Sequence, residues 1–121
     1  MYPDFKVYSQ ACPMWVPLVE NDEASGDGAD YFVKKYIDAL LAQSAEIDTV
    51  VLGCTHYPLL LEKIKKVLPD GITPLVQGHL VAESLADYLR RHPEMESRCT
   101  KGGGCAYLTT ESAAKFSDAA T

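Results

Sequence analysis

The chain has 121 residues, with 11 Lys and Arg against 17 Asp and Glu, which gives a formal net charge of −6. This length suits one domain with an ordinary apolar core, so folding requires neither a disulfide nor a metal. The acidic balance argues against a nucleic-acid partner, because that binding depends on clustered Lys and Arg that neutralise phosphates. The apolar runs are too short to span a bilayer, and the N-terminus lacks the pattern of a secretory signal. We therefore expect a cytosolic protein with no membrane partner.

The excess of negative charge lies in the first part of the chain. Residues 1–48 contain nine acids and three bases, while residues 49–121 contain eight of each. Five of the acids fall between Glu20 and Asp30 with no base among them. Such a run is typical of a solvated loop that serves solubility. This interpretation does not extend to Glu20, because the residues that precede it are not part of the acidic run.

The first predicted element is a strand over residues 5–10, where apolar and polar residues alternate up to a Cys-Pro pair. A loop through Pro17 follows. Apolar residues that recur on one helical face then predict a helix over residues 30–42. Residues 49–52 form a continuous β-branched run, which is typical of a strand covered by helices on both faces. We expect this strand to be central in a parallel sheet.

The next predicted elements are a helix and a strand that both contain proline. Pro58 suits the first turn of a helix, which the Pro-Asp-Gly sequence at residues 69–71 ends. Residues 72–76 form a second short apolar run. Pro74 lies within that run and cannot donate to a ladder, so the run predicts an edge strand or an imperfect one.

The C-terminal part adds a helix after Gly78 that Pro93 ends, a strand over residues 106–109 and a short helix from about Ser112. The alternation of strands and helices predicts an α/β fold with a mostly parallel sheet and flanking helices. Ligands of such sheets bind beyond the carboxyl ends of the strands. Residues 53–56 are therefore where chemistry is expected.

Cys54 directly follows the buried strand, and Gly53 lets the backbone turn so that the thiol projects into a cleft. A helix that starts at Pro58 would bring its N-terminal amides near this thiol and would stabilise a thiolate. His56 could trade a proton with the thiol or bind a substrate carboxylate. On position alone, a core cysteine that only packs is an equal alternative.

Residues 51–60, Val-Leu-Gly-Cys-Thr-His-Tyr-Pro-Leu-Leu, closely resemble the second catalytic motif of the glutamate racemases. Residues 11–20, Ala-Cys-Pro-Met-Trp-Val-Pro-Leu-Val-Glu, are similar to the family segment that ends in an active-site glutamate. Residues 78–93 also resemble the family, so the similarity covers nearly the whole chain. His56 after Cys-Thr favours glutamate over the related aspartate racemases, which tend to carry a glutamate there.

The resemblance implies the two-domain α/β racemase fold and the inversion of glutamate at Cα without a cofactor or a metal, which supplies D-glutamate for peptidoglycan. In this family two cysteines face opposite sides of the substrate, and one thiolate removes a proton while the other thiol returns one. By the motif match, Cys54 is the second of these cysteines. Thr55 and His56 bind the substrate, and His56 also assists Cys54. Glu20 lies near the same site by its own match.

The chain departs from the family pattern because the motifs of the family's first half are absent. It contains neither the Asp-Ser-Gly motif nor the Asn-Thr pair that follows the first catalytic cysteine. Cys12 belongs to the glutamate segment and does not replace the missing thiol. We therefore expect the C-terminal portion of a racemase, with residues 1–77 in the second domain and residues 78–121 returning to the first. Such a chain alone is expected to be inactive. The sequence leaves open whether it forms a homodimer.

Two other functions fit the residues. Cys54 and His56 could form the site of a thiol hydrolase or acyl transferase, which needs an oxyanion hole but no second thiol. The chain could also be a non-catalytic α/β module that interacts through its sheet.

The C-terminal cysteines raise the question of a metal. Cys99 and Cys105 flank a glycine-rich turn, with His92 nearby. A structural zinc site usually offers two close-spaced pairs of ligands, whereas this segment has one loose pair. We expect a plain connection here.

Overall fold

The computed structural model describes residues 4–110, 112–114 and 117. The chain divides after Val76 into two compact units. The first unit contains helix α1 (Trp15–Glu20), helix α2 (Asp27–Leu41), strand β1 (Thr49–Leu52), a 3-10 helix (Tyr57–Leu60), helix α3 (Leu61–Val67) and strand β2 (Thr73–Val76). The second unit contains helix α4 (Gln77–Arg91) and helix α5 (Pro93–Glu96).

Strands β1 and β2 form a parallel pair, and they are the two strands of the sheet in the described residues. Thr49 lies opposite Thr73, and Leu52 lies opposite Val76. The 3-10 helix and α3 supply the crossover that a parallel connection needs. Pro74 is accommodated because β2 is an edge strand, as its sequence predicts. The expected α/β class with a parallel sheet is thus confirmed.

Strand β1 is covered on one face. Val50 and Leu52 are buried and pack with residues of α2 and α3, whereas Val51 is 57% exposed. The prediction of a central strand covered on both faces is therefore wrong for the described part of the chain. Side chains alternate between the faces of a sheet, and α2 and α3 both contribute to the cluster on the face of Val50 and Leu52.

The core of the first unit lies between its helices and the buried face of β1. Its members come from α1, α2, β1, the 3-10 helix and α3, with Cys12 just before α1. Each fully buried aliphatic side chain contributes about 1.5–3 kcal/mol by leaving water. Among the described residues the largest fully buried side chains are Ile37, Leu60, Ile64 and Val33.

Helix α1 replaces the loop expected through Pro17. Pro17 is the third residue of this helix. The first amides of a helix have no intrahelical partner, so a proline there removes no hydrogen bond. The prediction failed because a proline in the first turn looks the same in sequence as a proline in a loop.

Helix α2 confirms the predicted helix but begins at Asp27 instead of Asp30. Both carboxylates lie in its first turn, where the positive end of the helix dipole stabilises them. The acidic run is therefore partly helical.

Two predicted strands are wrong, since residues 5–10 and 106–109 are described by the structure and form no strand. The first segment is attached to the region after α2: Lys6 Nζ lies 2.6 Å from Glu46 Oε2, and Gln43 donates to the Ser9 carbonyl at 3.2 Å. Alternation indicates that a segment could pair with a strand, but it does not determine whether tertiary packing places the segment beside a sheet edge. The short helix predicted from about Ser112 falls largely on residues outside the described ones.

In the second unit, α4 ends at Arg91 before Pro93, as predicted. Pro93 then starts α5, which suits a residue with a helical φ and no amide hydrogen. No residue of α4 is buried in the described chain, and its apolar side chains at Leu80, Val81 and Leu85 are exposed. Within the described ranges, no helix is both long enough and apolar enough to cross a membrane.

Candidate functional site

The site is built where β1 ends. After Leu52 the chain bends, and the amide of Tyr57 donates to the Cys54 carbonyl at 3.2 Å, which starts the 3-10 helix. This turn holds Cys54 half-buried at the carboxyl end of the strand. Gly53 has no positive φ, and a Cβ there would meet nothing within 4 Å. The expectation that the turn needs the conformational freedom of Gly53 is wrong.

Three of the predicted site residues are connected by consecutive side-chain contacts. Cys54 Sγ is 3.7 Å from His56 Nδ1, and His56 Nε2 is 3.2 Å from Glu20 Oε1. The first two side chains project from the turn after β1, while Glu20 is the last residue of α1. Glu20 thus reaches His56 although 36 residues separate them in sequence. We call these three residues the relay.

The relay can move a proton because its partners set the roles of the imidazole nitrogens. A carboxylate only accepts hydrogen bonds, so His56 Nε2 donates to Glu20. Nδ1 is then free to accept the Cys54 proton, and the imidazolium that results faces the thiolate on one side and a carboxylate on the other. The His56 side chain is 34% exposed and the Glu20 side chain 53%, so the line opens to solvent and to a ligand.

Thr55 lies between Cys54 and His56 in sequence, and the residue is exposed. Its predicted role in substrate binding is consistent with this position but stays a prediction.

Cys12 behaves as a packed thiol. It is buried, and its Sγ donates to the Gln10 carbonyl at 3.6 Å. Burial raises the pKa of the Cys12 thiol from 9.0 to about 11. A thiol that keeps its proton at neutral pH is unsuited to act as a base.

Two aromatic residues beside the relay carry no motif signal of their own. The ring of Tyr57 meets that of Trp15 edge to face, with centroids 4.7 Å apart. Burial raises the pKa of the Tyr57 phenol, and Cys12 and Cys54, which are negative when ionised, raise it further. The sequence could have pointed to both residues in one way only. Trp15 lies in the segment that ends at Glu20, and Tyr57 lies in the segment that contains Cys54 and His56.

No group of three His, Cys, Asp or Glu side chains is placed to hold a metal ion in the part of the chain that the structure describes. Cys99 and Cys105 are both exposed free thiols of the second unit.

Comparison with known proteins adds an independent observation. No family model matches the chain. The glutamate racemase of Ruegeria sp. (strain TM1040) is 41% identical over 115 residues, and that of Lactiplantibacillus plantarum is 38% identical over 114 residues. These matches cover 95% and 94% of the chain. The chain is a relative of the glutamate racemases.

The similarity to the glutamate racemases is confined to their C-terminal portion, since the chain spans about 40% of the length of these relatives. Solved structures agree. The Thermus thermophilus glutamate racemase in complex with beta-chloro-D-alanine superposes with a TM-score of 0.62 at 33% identity, over 78% of the chain and 34% of that protein. The racemase isoform RacE1 of Bacillus anthracis gives 0.66 at 36% identity, over 73% and 32%.

Proposed function

We propose that the chain provides one side of the active site of a glutamate racemase, which interconverts L- and D-glutamate without a cofactor. The observation that carries this proposal is the relay of Cys54, His56 and Glu20 at the carboxyl end of β1. The similarity to a glutamate racemase over 95% of the chain supports it.

In the proposed reaction, the Cys54 thiolate accepts the proton from Cα of one enantiomer and becomes a thiol. The carbanion is then protonated on its opposite face by a second thiol, which becomes a thiolate. The reverse reaction starts from that second thiolate and ends with the Cys54 thiol donating its proton. Before the next turnover in the same direction, His56 takes the proton from the Cys54 thiol and releases it to solvent, while the second thiolate takes a proton from solvent. Glu20 stabilises the imidazolium that forms on His56.

The second thiol is proposed to come from residues outside this chain. Cys12 is buried with a pKa of about 11, and Cys99 and Cys105 belong to the second unit. The relatives contain a further three fifths of sequence that the chain does not span.

We also propose the domain division expected from the resemblance, with residues 1–77 in the second domain of the racemase and residues 78–121 returning to the first. Exposed apolar side chains support this division. Val51 on the open face of β1 is 57% exposed, and no residue of α4 is buried in the described chain. Additional chain would cover such surfaces.

Glutamate is the proposed substrate, and the D-glutamate made is proposed to serve peptidoglycan synthesis in the cytosol. Thr55 and His56 are the proposed contacts to its polar groups. A homodimer is a further prediction, which light scattering on the purified chain tests.

A chimera tests the proposal. The chain is joined to the N-terminal three fifths of the Ruegeria racemase, and D-glutamate formation is measured in a coupled assay. We expect the chimera to be active and the chain alone to be inactive. Cys54→Ser should abolish activity in both directions, because a hydroxyl does not form the anion near neutral pH. Cys99→Ser is the matched control and should leave the activity unchanged.

The same chimera separates racemisation from thiol hydrolysis. A racemase exchanges the Cα proton with solvent, so glutamate in D₂O should gain deuterium from either enantiomer. A hydrolase built on Cys54 and His56 would not cause this exchange. Exchange at an undiminished rate in the Cys54→Ser chimera would overturn the assignment.

A further inference from the structure

The starting point is that Glu20 reaches His56 from a helix that is short and poorly stabilised by itself. Helix α1 has six residues, and no side chain caps its N-terminus. Isolated helices of this length are not stable in water, so tertiary packing must hold the helix in place. The Glu20 side chain is itself 53% exposed. Its position opposite His56 therefore depends on how the rest of α1 is anchored.

Trp15 is the buried residue of α1 in the described structure, with 2% exposure. It lies five residues before Glu20, at the other end of the helix. Its indole Nε1 donates to the Phe32 carbonyl of α2 at 3.2 Å. Its ring also contacts Tyr36 of the same helix, with centroids 6.2 Å apart. Trp15 thus fixes the N-terminal end of α1 against α2.

Tyr57 connects this anchor to the other half of the relay. It directly follows His56 and is the first residue of the 3-10 helix. Its ring packs edge to face on Trp15 at 4.7 Å. A contact of this geometry has a defined orientation, because the positive edge of one ring meets the negative face of the other. The pair of rings therefore links the helix that ends in Glu20 to the turn that carries Cys54 and His56.

We propose that Trp15 and Tyr57 are positioning residues that hold Glu20 in register with His56, and so keep the relay assembled. This inference rests on the proposed roles of Cys54, His56 and Glu20. Neither aromatic residue touches the substrate in this scheme. Both act through the distance between Glu20 and His56.

The test uses the purified chain and does not require racemase activity. The readout is the alkylation rate of Cys54 by iodoacetamide at pH 7.5, mapped by mass spectrometry. Glu20→Gln should slow this reaction about two- to fivefold, since an exposed charge pair contributes modestly. Trp15→Leu should slow it by a similar factor, because it releases the same carboxylate.

A double-mutant cycle separates positioning from general loosening. If Trp15 acts through Glu20, the Trp15→Leu/Glu20→Gln protein should react at the rate of Glu20→Gln alone, so that the two effects are not additive. Multiplicative effects would show that Trp15 influences Cys54 by another route, and the proposal would be overturned. Trp15→Phe retains an aromatic face for Tyr57 but loses the hydrogen bond to the Phe32 carbonyl, so it should restore part of the rate lost in Trp15→Leu.

Tyr57 gives the same test from the other side of the contact and keeps the proposal testable if Trp15→Leu fails to fold. Tyr57→Leu should slow Cys54 alkylation and should also be non-additive with Glu20→Gln, whereas Tyr57→Phe should not slow it. Ile64→Val is the matched control, because Ile64 is fully buried in α3 but lies outside the relay. Its alkylation rate should equal that of the unaltered chain.

Failure of the proposed site and failure of the positioning role give different results. If Glu20→Gln and His56→Asn leave the Cys54 rate unchanged, the relay itself is wrong. If both slow the reaction while Trp15→Leu and Tyr57→Leu do not, the relay stands and the positioning role is overturned.

Discussion

At the scale of single residues, two cysteines of the same unit differ because of what surrounds them. Cys54 lies at the end of a strand with an imidazole nitrogen 3.7 Å away. Cys12 is buried in the core, and its Sγ donates a hydrogen bond to the Gln10 carbonyl. Polar contacts favour an ionised thiol, and burial opposes it. The same chemical group therefore only packs at one position, whereas at the other it has the polar partner that the proposed proton transfer needs.

The raised pKa of Cys12 predicts how stability depends on pH. The unfolded chain releases the thiol proton near pH 9, while the folded chain retains it up to about pH 11. The folded state thus binds more protons in this range, and the free energy of unfolding should fall as the pH rises through it. The contribution of this residue to the fall should be about 1–2 kcal/mol.

Urea unfolding under reducing conditions, followed by circular dichroism between pH 7.5 and 10.5, measures this dependence. Cys12→Ala should flatten the curve relative to the unaltered chain, whatever its effect at pH 7.5. Cys99→Ala is the control, because Cys99 is exposed. Parallel curves for Cys12→Ala and the unaltered chain would contradict the burial argument.

At the scale of elements, two glycines of the first unit differ in backbone conformation, one inside α2 and one in the turn after α3. Helix α2 begins with Asp27 and Gly28, and no side chain caps its N-terminus. After α3 the chain turns at Gly71, which has a φ of +93°. A side chain is tolerated poorly in that left-handed region but well in a helix. The same substitution should therefore have opposite effects at the two glycines.

We predict that Gly71→Ala destabilises the chain by about 1–2 kcal/mol through backbone strain. Gly28→Ala should stabilise it by about 0.5 kcal/mol, because alanine loses less conformational entropy in a helix. A Cβ at either position meets nothing within 4 Å, so steric contact does not confuse the comparison. Denaturant unfolding of both variants measures the difference. A loss of stability in both would show that local backbone preference is not the cause.

At the scale of the whole molecule, the buried core of the described residues lies between Cys12 and Ile64. The second unit contributes no residue to it. Its helix α4 places Leu80, Val81 and Leu85 in exposed positions. The first unit therefore contains the core and the relay together.

This distribution predicts the outcome of truncation. A chain that ends at Gly78 should keep the helical circular dichroism of the first unit, and its free energy of unfolding should change by less than about 0.5 kcal/mol. A chain that ends at Pro69 also loses β2 and should unfold, since β1 then has no partner in the described sheet. If the chain that ends at Gly78 also unfolds, residues after Gly78 stabilise the core and the prediction is wrong.

The sequence by itself determined the elements whose signals are local. The spacing of Val33 and Ile37 predicts α2, and the run from Thr49 to Leu52 predicts β1 and the position of Cys54 at its end. Pro93 marks the end of α4. These predictions succeeded because periodicity, proline and turn residues act on the chain within a few residues.

Tertiary structure alone decided which faces are covered and which side chains meet. No local pattern shows that Val51 is exposed, that Pro17 lies within a helix or that residues 5–10 lack a strand partner. The contact of Glu20 with His56, and the packing of Trp15 on Tyr57, join segments about 40 residues apart. Motif resemblance grouped Glu20 with Cys54 and His56, but the order of the relay depends on distances that only the packing of α1 against the turn after β1 establishes.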